Sequence, residues 1–248
     1  MTGARVVAAI ALTSALLVLG ACGGGDDTAT TSGGTTARQG NALPPIENLS
    51  GPRHYQQLVE GTFKLLNASW PVTLRKAGNH NYSPPSKLIA YEGKDGPECD
   101  GEPASPDNAE YCQPANFIDW DQNLLLGNFY DRVGDPAVIF VLAHEFGHLV
   151  QDRLGIYYKY KLNIERELNA DCIAGAWLGA VNAEAVRFTR RDYNELYKGI
   201  FEASDPHGLP YTNPDAHGTA RQREDAVDLG ATRGTRACLR DLGPGFSR

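Results

Sequence analysis

The sequence predicts a mainly helical α+β domain with a small extended segment beside a central buried helix. Apolar residues recur at helical spacing from 55 to 66, and they run without a break over 138–143. A short apolar segment at 116–120 precedes the second stretch and is typical of a strand. Residues 78–113 are rich in Pro, Gly, Asn and Asp and should be mostly loop, apart from a strand candidate at 88–91.

The chain begins with a segment that has the layout of an export signal. Residues 1–21 combine one cation, small residues, and an apolar run shorter than the ~20 residues of a membrane span. They lead to Leu19-Gly20-Ala21-Cys22, which resembles the bacterial lipobox. Cys22 is therefore expected to be lipidated and to anchor the mature protein to the extracytoplasmic face of the bacterial cell membrane. An ordinary secreted protein is the alternative.

The next segment, 22–44, is rich in Gly, Thr and Ser and has no apolar periodicity, which predicts a flexible tether. The folded domain is expected to occupy 45–248, a length that suits one core. The formal net charge of -7 argues against nucleic acid as a partner.

The cysteines other than Cys22 are expected to form disulfides. There are four of them, an even number: Cys99, Cys112, Cys172 and Cys238. Export implies an oxidising compartment, in which cysteines pair. The favoured pairs are Cys99 with Cys112, which closes a short polar loop, and Cys172 with Cys238, which ties the C-terminal tail to a helix. Zinc binding by four cysteines is the weaker alternative, because close paired spacing is missing.

Two helices have recognisable ends. The opening helix around 55–66 is expected to end before Pro71. Asp135 and Pro136 predict the start of a second helix, with an N-cap oxygen followed by a proline at the first helical position, and Gly155 predicts its end. Because the start of this second helix is apolar all round, it should be buried on most sides.

This second helix contains VLAHEFGHLVQ at 141–151, with two histidines four residues apart and a glutamate after the first. His144 and His148 lie one turn apart on one face, so both imidazoles can reach a single zinc ion at about 2.0–2.1 Å. Glu145 is rotated by about 100° and can hold a water on that ion without binding the ion itself. Two core histidines bonded to protein groups are the alternative, which a third ligand would disfavour.

A third helix, predicted at 164–181, has two carboxylates on one face. Glu167 and Asp171 are four residues apart. One of them can complete a site of two histidines and a carboxylate, while the other accepts a hydrogen bond from a ligating histidine. A solvated helix face is the alternative.

Four stretches between 108 and 240 resemble known zinc peptidases: NAEYCQPANFIDWD at 108–121, VLAHEFGHLVQ at 141–151, RELNADCIAGAW at 166–177, and HGTARQREDAVDLG followed by Cys238. The two helical motifs resemble those of gluzincins, in which HExxH is followed by a helix bearing ExxAD. More closely, the chain resembles the bacterial putative neutral zinc metallopeptidase family. The resemblance implies zinc (Zn2+) bound by His144, His148 and Glu167. It also implies Glu145 as general base and Asp171 as the residue that orients His144.

Peptide hydrolysis also needs a donor for the tetrahedral oxyanion. His217 is the candidate for this catalytic role, with Arg221 and Arg223 as weaker ones. The alternative for His217 is an ordinary residue before a helix that begins with a capping box of Thr219 and Gln222.

The sequence thus predicts a lipid-anchored zinc metallopeptidase that cleaves peptide or protein substrates outside the cytoplasmic membrane. The segment at 116–120 occupies the place where many zinc peptidases have a strand that pairs with the substrate backbone, and core packing explains its aromatic residues equally well. Two other functions stay open. One is a non-catalytic zinc-binding scaffold lipoprotein, and the other is a zinc amidase acting on the cell wall.

Overall fold

A computed structural model of the chain describes residues 41–184 and 187–239. The predicted signal peptide at 1–21, the lipid anchor at Cys22 and the tether residues 22–40 lie outside the described residues. Within the described part, none of the helices has the length and apolar character needed to cross a membrane.

The first helix, α1 (Arg53–Lys76), packs one apolar face into the core. The buried side chains of this face follow helical spacing: Tyr55, Val59, Phe63, Leu66, Trp70 and Leu74. The expectation that the helix ends before Pro71 is wrong, because the helix continues for five more residues. A proline in a helix interior costs about 3 kcal/mol. Burial of Trp70 and Leu74, at about 1.5–3 kcal/mol for each large side chain, offsets that cost.

The described strands are β1 (Ile46–Glu47), β2 (Lys87–Tyr91), β3 (Glu98–Cys99), β4 (Glu102–Pro103), β5 (Ala109–Cys112) and β6 (Phe117–Asp121). A mixed sheet has the order β1-β2-β6-β5, in which β5 runs antiparallel to β6 and the other pairs are parallel. The strands predicted at 88–91 and 116–120 correspond to β2 and β6, whereas β5 lies in the predicted loop. One face of the sheet packs on α1, with the ring of Trp120 5.5 Å from that of Phe63.

The central helix is α2 (Asp135–Arg153), which follows a π-helical segment at Asn123–Tyr130. Most of its side chains between Pro136 and Gln151 are buried, as the apolar run predicts. The predicted N-cap is wrong by one residue: Gly134, at φ 140°, caps the helix, and Asp135 is its first residue. Glycine adopts such a positive φ without strain. Gly155 follows the helix at φ 66°, in the left-handed conformation that is typical of a helix end.

The helices that follow are α3 (Asn163–Glu184), α4 (Arg190–Glu202), α5 (Ala220–Arg233) and α6 (Thr235–Cys238). The helix predicted at 164–181 corresponds to α3, and α5 begins with the capping box of Thr219 and Gln222. The helices α1, α3 and α4 all pack against α2. The fold is therefore mainly α with a small sheet, which confirms the predicted class.

Both favoured disulfides are present in the structure. Cys99 pairs with Cys112, which joins β3 to β5, and Cys172 pairs with Cys238, which joins α3 to α6. The Cys172–Cys238 bond joins residues 66 positions apart, and the Cys99–Cys112 bond joins residues 13 positions apart. A longer loop loses more entropy in the unfolded chain, so the Cys172–Cys238 bond should stabilise the fold more. With these four sulfurs paired, the alternative of a four-cysteine zinc site is excluded for this structure.

Helices α3 and α5 approach so closely that glycine is needed between them. A Cβ atom at Gly230 would overlap the carbonyl oxygen of Cys172. We expect Gly230→Ala to lower the free energy of unfolding by about 1–3 kcal/mol. The matched change Gly61→Ala in α1, where a Cβ meets nothing within 4 Å, should raise it by about 0.5–1 kcal/mol. Urea unfolding measures both values, and an equal effect of the two changes would contradict the close approach.

Candidate metal centre

Three buried side chains meet where α2 crosses α3. Nε2 of His144 lies 3.0 Å from Oε2 of Glu167, and Nε2 of His148 lies 3.3 Å from the same oxygen. One ligand atom from each residue lies within 4.8 Å of the other two. Two atoms held tetrahedrally at about 2.0–2.1 Å from one zinc ion are about 3.3 Å apart. The three residues predicted as ligands therefore form a group that can hold a metal ion.

The close crossing of the two helices depends on Gly147, between the two histidines. A Cβ atom at this position would lie 2.9 Å from the carbonyl oxygen of Ala170 on α3. That distance is shorter than ordinary packing allows, so any larger residue would push α3 away. Glu167 and Asp171 are buried on the face of α3 that packs against α2.

The second ring nitrogen of each histidine is held by a hydrogen bond. Nδ1 of His144 lies 2.7 Å from Oδ1 of Asp171, and Nδ1 of His148 lies 2.9 Å from Oε1 of Gln151. Both partners are acceptors, so each Nδ1 carries a proton and donates it. A neutral imidazole in this tautomer directs the lone pair of Nε2 at Glu167. When a metal ion is bound, two such lone pairs and the carboxylate oxygen of Glu167 can converge on it, which is the chemistry of a metal site.

Gln151 belongs to a chain of polar contacts that holds His148. Its Nε2 donates to the carbonyl oxygen of Arg166 at 2.8 Å and to Oδ1 of Asn169 at 3.1 Å. Nδ2 of Asn169 in turn donates to the carbonyl oxygen of Cys238 at 2.7 Å. This role of Gln151 was not predicted from the sequence. Its position three residues after His148, on the same helix face, is the signal that points to it.

Asp171 contacts His144 as the predicted orienting role requires, and it also binds Arg223. Nε of Arg223 donates to Oδ2 of Asp171 at 2.8 Å, and Nη2 donates to Oδ1 at 2.9 Å. Both side chains are buried. Sequence reasoning missed this pair. Arg223, Val227 and Gly230 form a buried face at helical spacing, and a cation on such a face signals a buried acidic partner.

The electrostatics of the cluster suit a cation between its members. Burial lowers the pKa of His144, but the carboxylates of Asp171 and Glu167 outweigh it and raise that pKa to about 10. Burial raises the pKa of Glu167, yet the imidazoles of His148 and His144 hold it well below its usual range. Without a metal, the cluster thus keeps a proton on His144 and a negative charge on Glu167.

Metal binding should therefore release a proton from His144. A metal can coordinate Nε2 only when the imidazole is neutral, and the pKa of about 10 means that it is protonated at pH 7. Because one proton is released on binding, we expect the zinc affinity to rise by about tenfold per pH unit between pH 6 and 8. Calorimetric titrations in buffers of different ionisation enthalpy would count the protons. An affinity independent of pH would contradict the raised pKa.

A cavity of about 520 Å³ opens onto the cluster and contains Glu145 in its wall. Burial raises the pKa of Glu145 to about 7. The imidazoles of His144 and His148 lower this pKa only in part, and the carboxylates of Glu167 and Glu110 raise it further. A carboxylate with a pKa near neutrality can both accept and return a proton at physiological pH.

His217 lies in the wall of the same cavity. Asp205 accepts the backbone N–H of both His217 and Gly218 at 2.7 Å and so positions this turn. The imidazole is 46% exposed, yet the burial of its other part lowers its pKa. The negative charge of Glu167 offsets this lowering only in part. A lowered pKa favours the neutral ring, which keeps one N–H to donate. Arg221, by contrast, is 86% exposed and does not line the cavity.

The strand that borders the cavity is β5, and not the segment predicted at 116–120. That segment forms β6, which is hydrogen-bonded to β2 on one side and to β5 on the other. Its backbone therefore has no free edge for a substrate, which corrects this interpretation. Asn108, Ala109, Glu110 and Tyr111 line the cavity instead, and β5 is the last strand of its sheet.

A buried helix with two histidines one turn apart lies next to a helix with a glutamate and an aspartate four residues apart. This arrangement resembles that of gluzincins and could hold a metal ion. The chain belongs to the family described as "putative neutral zinc metallopeptidase", whose model matches residues 3–239. The family is thus the one that the resemblance of the sequence motifs predicts.

Curated relatives are distant and uncharacterised. The uncharacterized protein YpfJ of Escherichia coli (strain K12) is 29% identical over 181 residues, which cover 62% of this chain and 60% of YpfJ. The uncharacterized protein Rv2575 of Mycobacterium tuberculosis (strain H37Rv) is 26% identical over 207 residues, which cover 72% of this chain and 67% of Rv2575. No solved structure matches the chain significantly.

Proposed function

We propose that the chain is a zinc-dependent metallopeptidase that hydrolyses peptide bonds outside the cytoplasmic membrane. The observation that supports this most is the buried group of His144, His148 and Glu167 in the wall of a cavity that also contains Glu145. A purely structural zinc site has four protein ligands, whereas the group of potential ligands among the described residues has three members. A structural site also has no use for a carboxylate of raised pKa at its edge.

The side chains around the cluster have distinct roles in the proposed reaction. A zinc ion held by these three residues would supply Lewis acidity and would leave a position open for water. Glu145, whose pKa is raised by burial, would accept a proton from the attacking water and later donate it to the nitrogen of the leaving amine. Asp171 and Gln151 hold the imidazoles of His144 and His148 in orientation through their Nδ1 atoms.

His217 is proposed as the donor to the oxyanion that forms on the scissile carbonyl. Its place in the cavity wall and its neutral imidazole support this role. Loss of one such donor costs about 2.7–4 kcal/mol of barrier stabilisation, so His217→Ala should lower kcat by about 100-fold with zinc content unchanged. A kcat equal to that of the unchanged protein would remove His217 from this role.

The free edge of β5 is proposed to bind the substrate backbone. An extended peptide can add to an exposed strand edge through main-chain hydrogen bonds, and this mode accepts many side chains. Ala109 and Tyr111 lie on the edge strand and in the cavity wall, so a peptide paired there passes the metal cluster.

The proposed location is the outer face of the bacterial cell membrane, with the chain anchored through a lipid on Cys22. The lipobox-like end of the predicted signal supports this location. The two disulfides add to the support, because such bonds persist in oxidising compartments and are rare in the cytosol.

The test is to incubate the protein with a mixed peptide library and, separately, with purified cell wall, before and after zinc removal by a chelator. We expect peptide products that disappear on chelation and return with added zinc. Peptide products that resist chelation would refute the proposal. Cleavage of cell wall without cleavage of peptides would identify a zinc amidase. Zinc binding without any product from either substrate would identify a scaffold.

A further inference from the structure

Arg223 is the buried cation closest to the metal cluster, and its contacts are directed at Asp171. The side chain is 3% exposed, and Asp171 is 0% exposed. Their contact is a two-point contact, with Nε on Oδ2 at 2.8 Å and Nη2 on Oδ1 at 2.9 Å. Such a fork fixes the carboxylate in distance and in plane, which a single ion pair cannot do.

The carboxylate that Arg223 fixes is the one that holds His144. Oδ1 of Asp171 receives both Nη2 of Arg223 and Nδ1 of His144, the latter at 2.7 Å. The direction of Nε2 of His144, on the opposite side of the ring, therefore depends on where Arg223 holds Asp171. The two residues are 52 positions apart and lie on different helices, so the contact joins α5 to the metal cluster.

The other contacts of Arg223 keep the guanidinium in place. Nη1 donates to the carbonyl oxygen of Ala203, the residue that caps the end of α4, at 2.5 Å. The guanidinium carbon lies 5.5 Å from the ring centroid of Phe140 on α2. All three nitrogens thus donate to protein oxygens, and the group is fixed from α2, α3 and α4.

We propose that Arg223 is a positioning residue, which acts through Asp171 to aim Nε2 of His144 at the metal. This inference rests on the proposed zinc site. It differs from the sequence-based idea that Arg223 donates to the oxyanion, because three of the five guanidinium N–H groups are bonded to Asp171 and Ala203 and the side chain is 3% exposed. Lysine keeps the charge but has no planar fork, so Arg223→Lys separates geometry from charge.

The test is a double-mutant cycle of Arg223→Lys and Asp171→Asn in the full chain, with the zinc dissociation constant and kcat/KM as readouts. Loss of a group that orients a metal ligand typically weakens metal affinity by about 10–100-fold. We expect each single change to weaken zinc binding by that factor, and the double variant to be no weaker than Asp171→Asn alone. Arg221→Lys, an exposed change two residues away, should leave the dissociation constant unchanged.

Two outcomes would overturn the proposal. If Arg223→Lys keeps the zinc affinity but lowers kcat, then Arg223 touches the substrate. If the two changes weaken zinc binding additively, then Arg223 does not act through Asp171. A protein that binds no zinc in any form would instead refute the proposed function.

The role of Arg223 in positioning His144 can also be measured in a protein that binds no zinc. In the metal-free protein, the Nδ1 proton of His144 should give a slowly exchanging NMR signal, because it is buried and bonded to Asp171. We expect Arg223→Lys to speed its exchange with water by about tenfold or more, while the thermal transition stays cooperative. An unchanged exchange rate would contradict the positioning role whether or not zinc binds.

Discussion

Glu145→Gln is expected to lower kcat on peptides by about 10²–10⁴-fold while the bound zinc stays at the level of the unchanged protein. The amide has nearly the same shape as the carboxylate, so the buried packing of this helix position is kept. It cannot accept the proton of the attacking water at neutral pH. Glu145 is not among the three residues whose atoms converge on one point, so its loss should spare metal binding.

Glu202→Gln is the matched control for this experiment. Glu202 lines the same cavity but is exposed, and it stands on α4, away from the histidine helix. Its neutralisation should change kcat by less than about twofold, since an exposed charge is screened by solvent. Equal kcat for Glu145→Gln and the unchanged protein, with zinc present in both, would mean that Glu145 is not the base.

Glu167→Ala should abolish stoichiometric zinc binding, whereas Asp171→Asn should only weaken it. Glu167 presents one oxygen to Nε2 of both histidines, so its removal takes away one of three ligands. Both oxygens of Asp171 are already used, Oδ1 by His144 and Arg223 and Oδ2 by Arg223, so this residue supports the site from outside. An asparagine can still accept the hydrogen bond from His144, and a loss of affinity of about 10–100-fold is expected.

Zinc content after dialysis, measured by atomic emission, distinguishes the two carboxylates. Glu165→Ala is a suitable control, because Glu165 lies on the same helix but accepts the backbone N–H of Lys161 and Leu162 and does not face the cluster. Zinc retained in Glu167→Ala and lost in Asp171→Asn would mean that Asp171 is the ligand. The site would then be of an aspartate type.

Sequence reasoning reached the helices of the site because their signals are local. The spacing of His144 and His148 fixes both imidazoles on one face whatever the rest of the chain does. The apolar run at 138–143 predicts a buried α2, and the spacing of Glu167 and Asp171 predicts a shared face on α3. Each of these features depends on neighbours within one or two helical turns, so periodicity alone identifies it.

The features that sequence reasoning missed depend on contacts between distant parts of the chain. No local pattern tells which carboxylate Arg223 meets, because Asp171 is 52 residues away. The interior position of β6 follows from its pairing with β2 and β5, and strand order is not written in any one strand. Pro71 stays in α1 because its neighbours gain burial in a core that the sequence alone does not describe.

The most direct test of the zinc centre is anomalous scattering at the zinc edge from crystals of the zinc-loaded protein. We predict one strong peak about 2.0–2.2 Å from Nε2 of His144, Nε2 of His148 and an oxygen of Glu167, with no fourth protein ligand and with Glu145 outside the coordination sphere. A peak at any other place, or a fourth protein side chain completing the coordination, would contradict a catalytic zinc at this site.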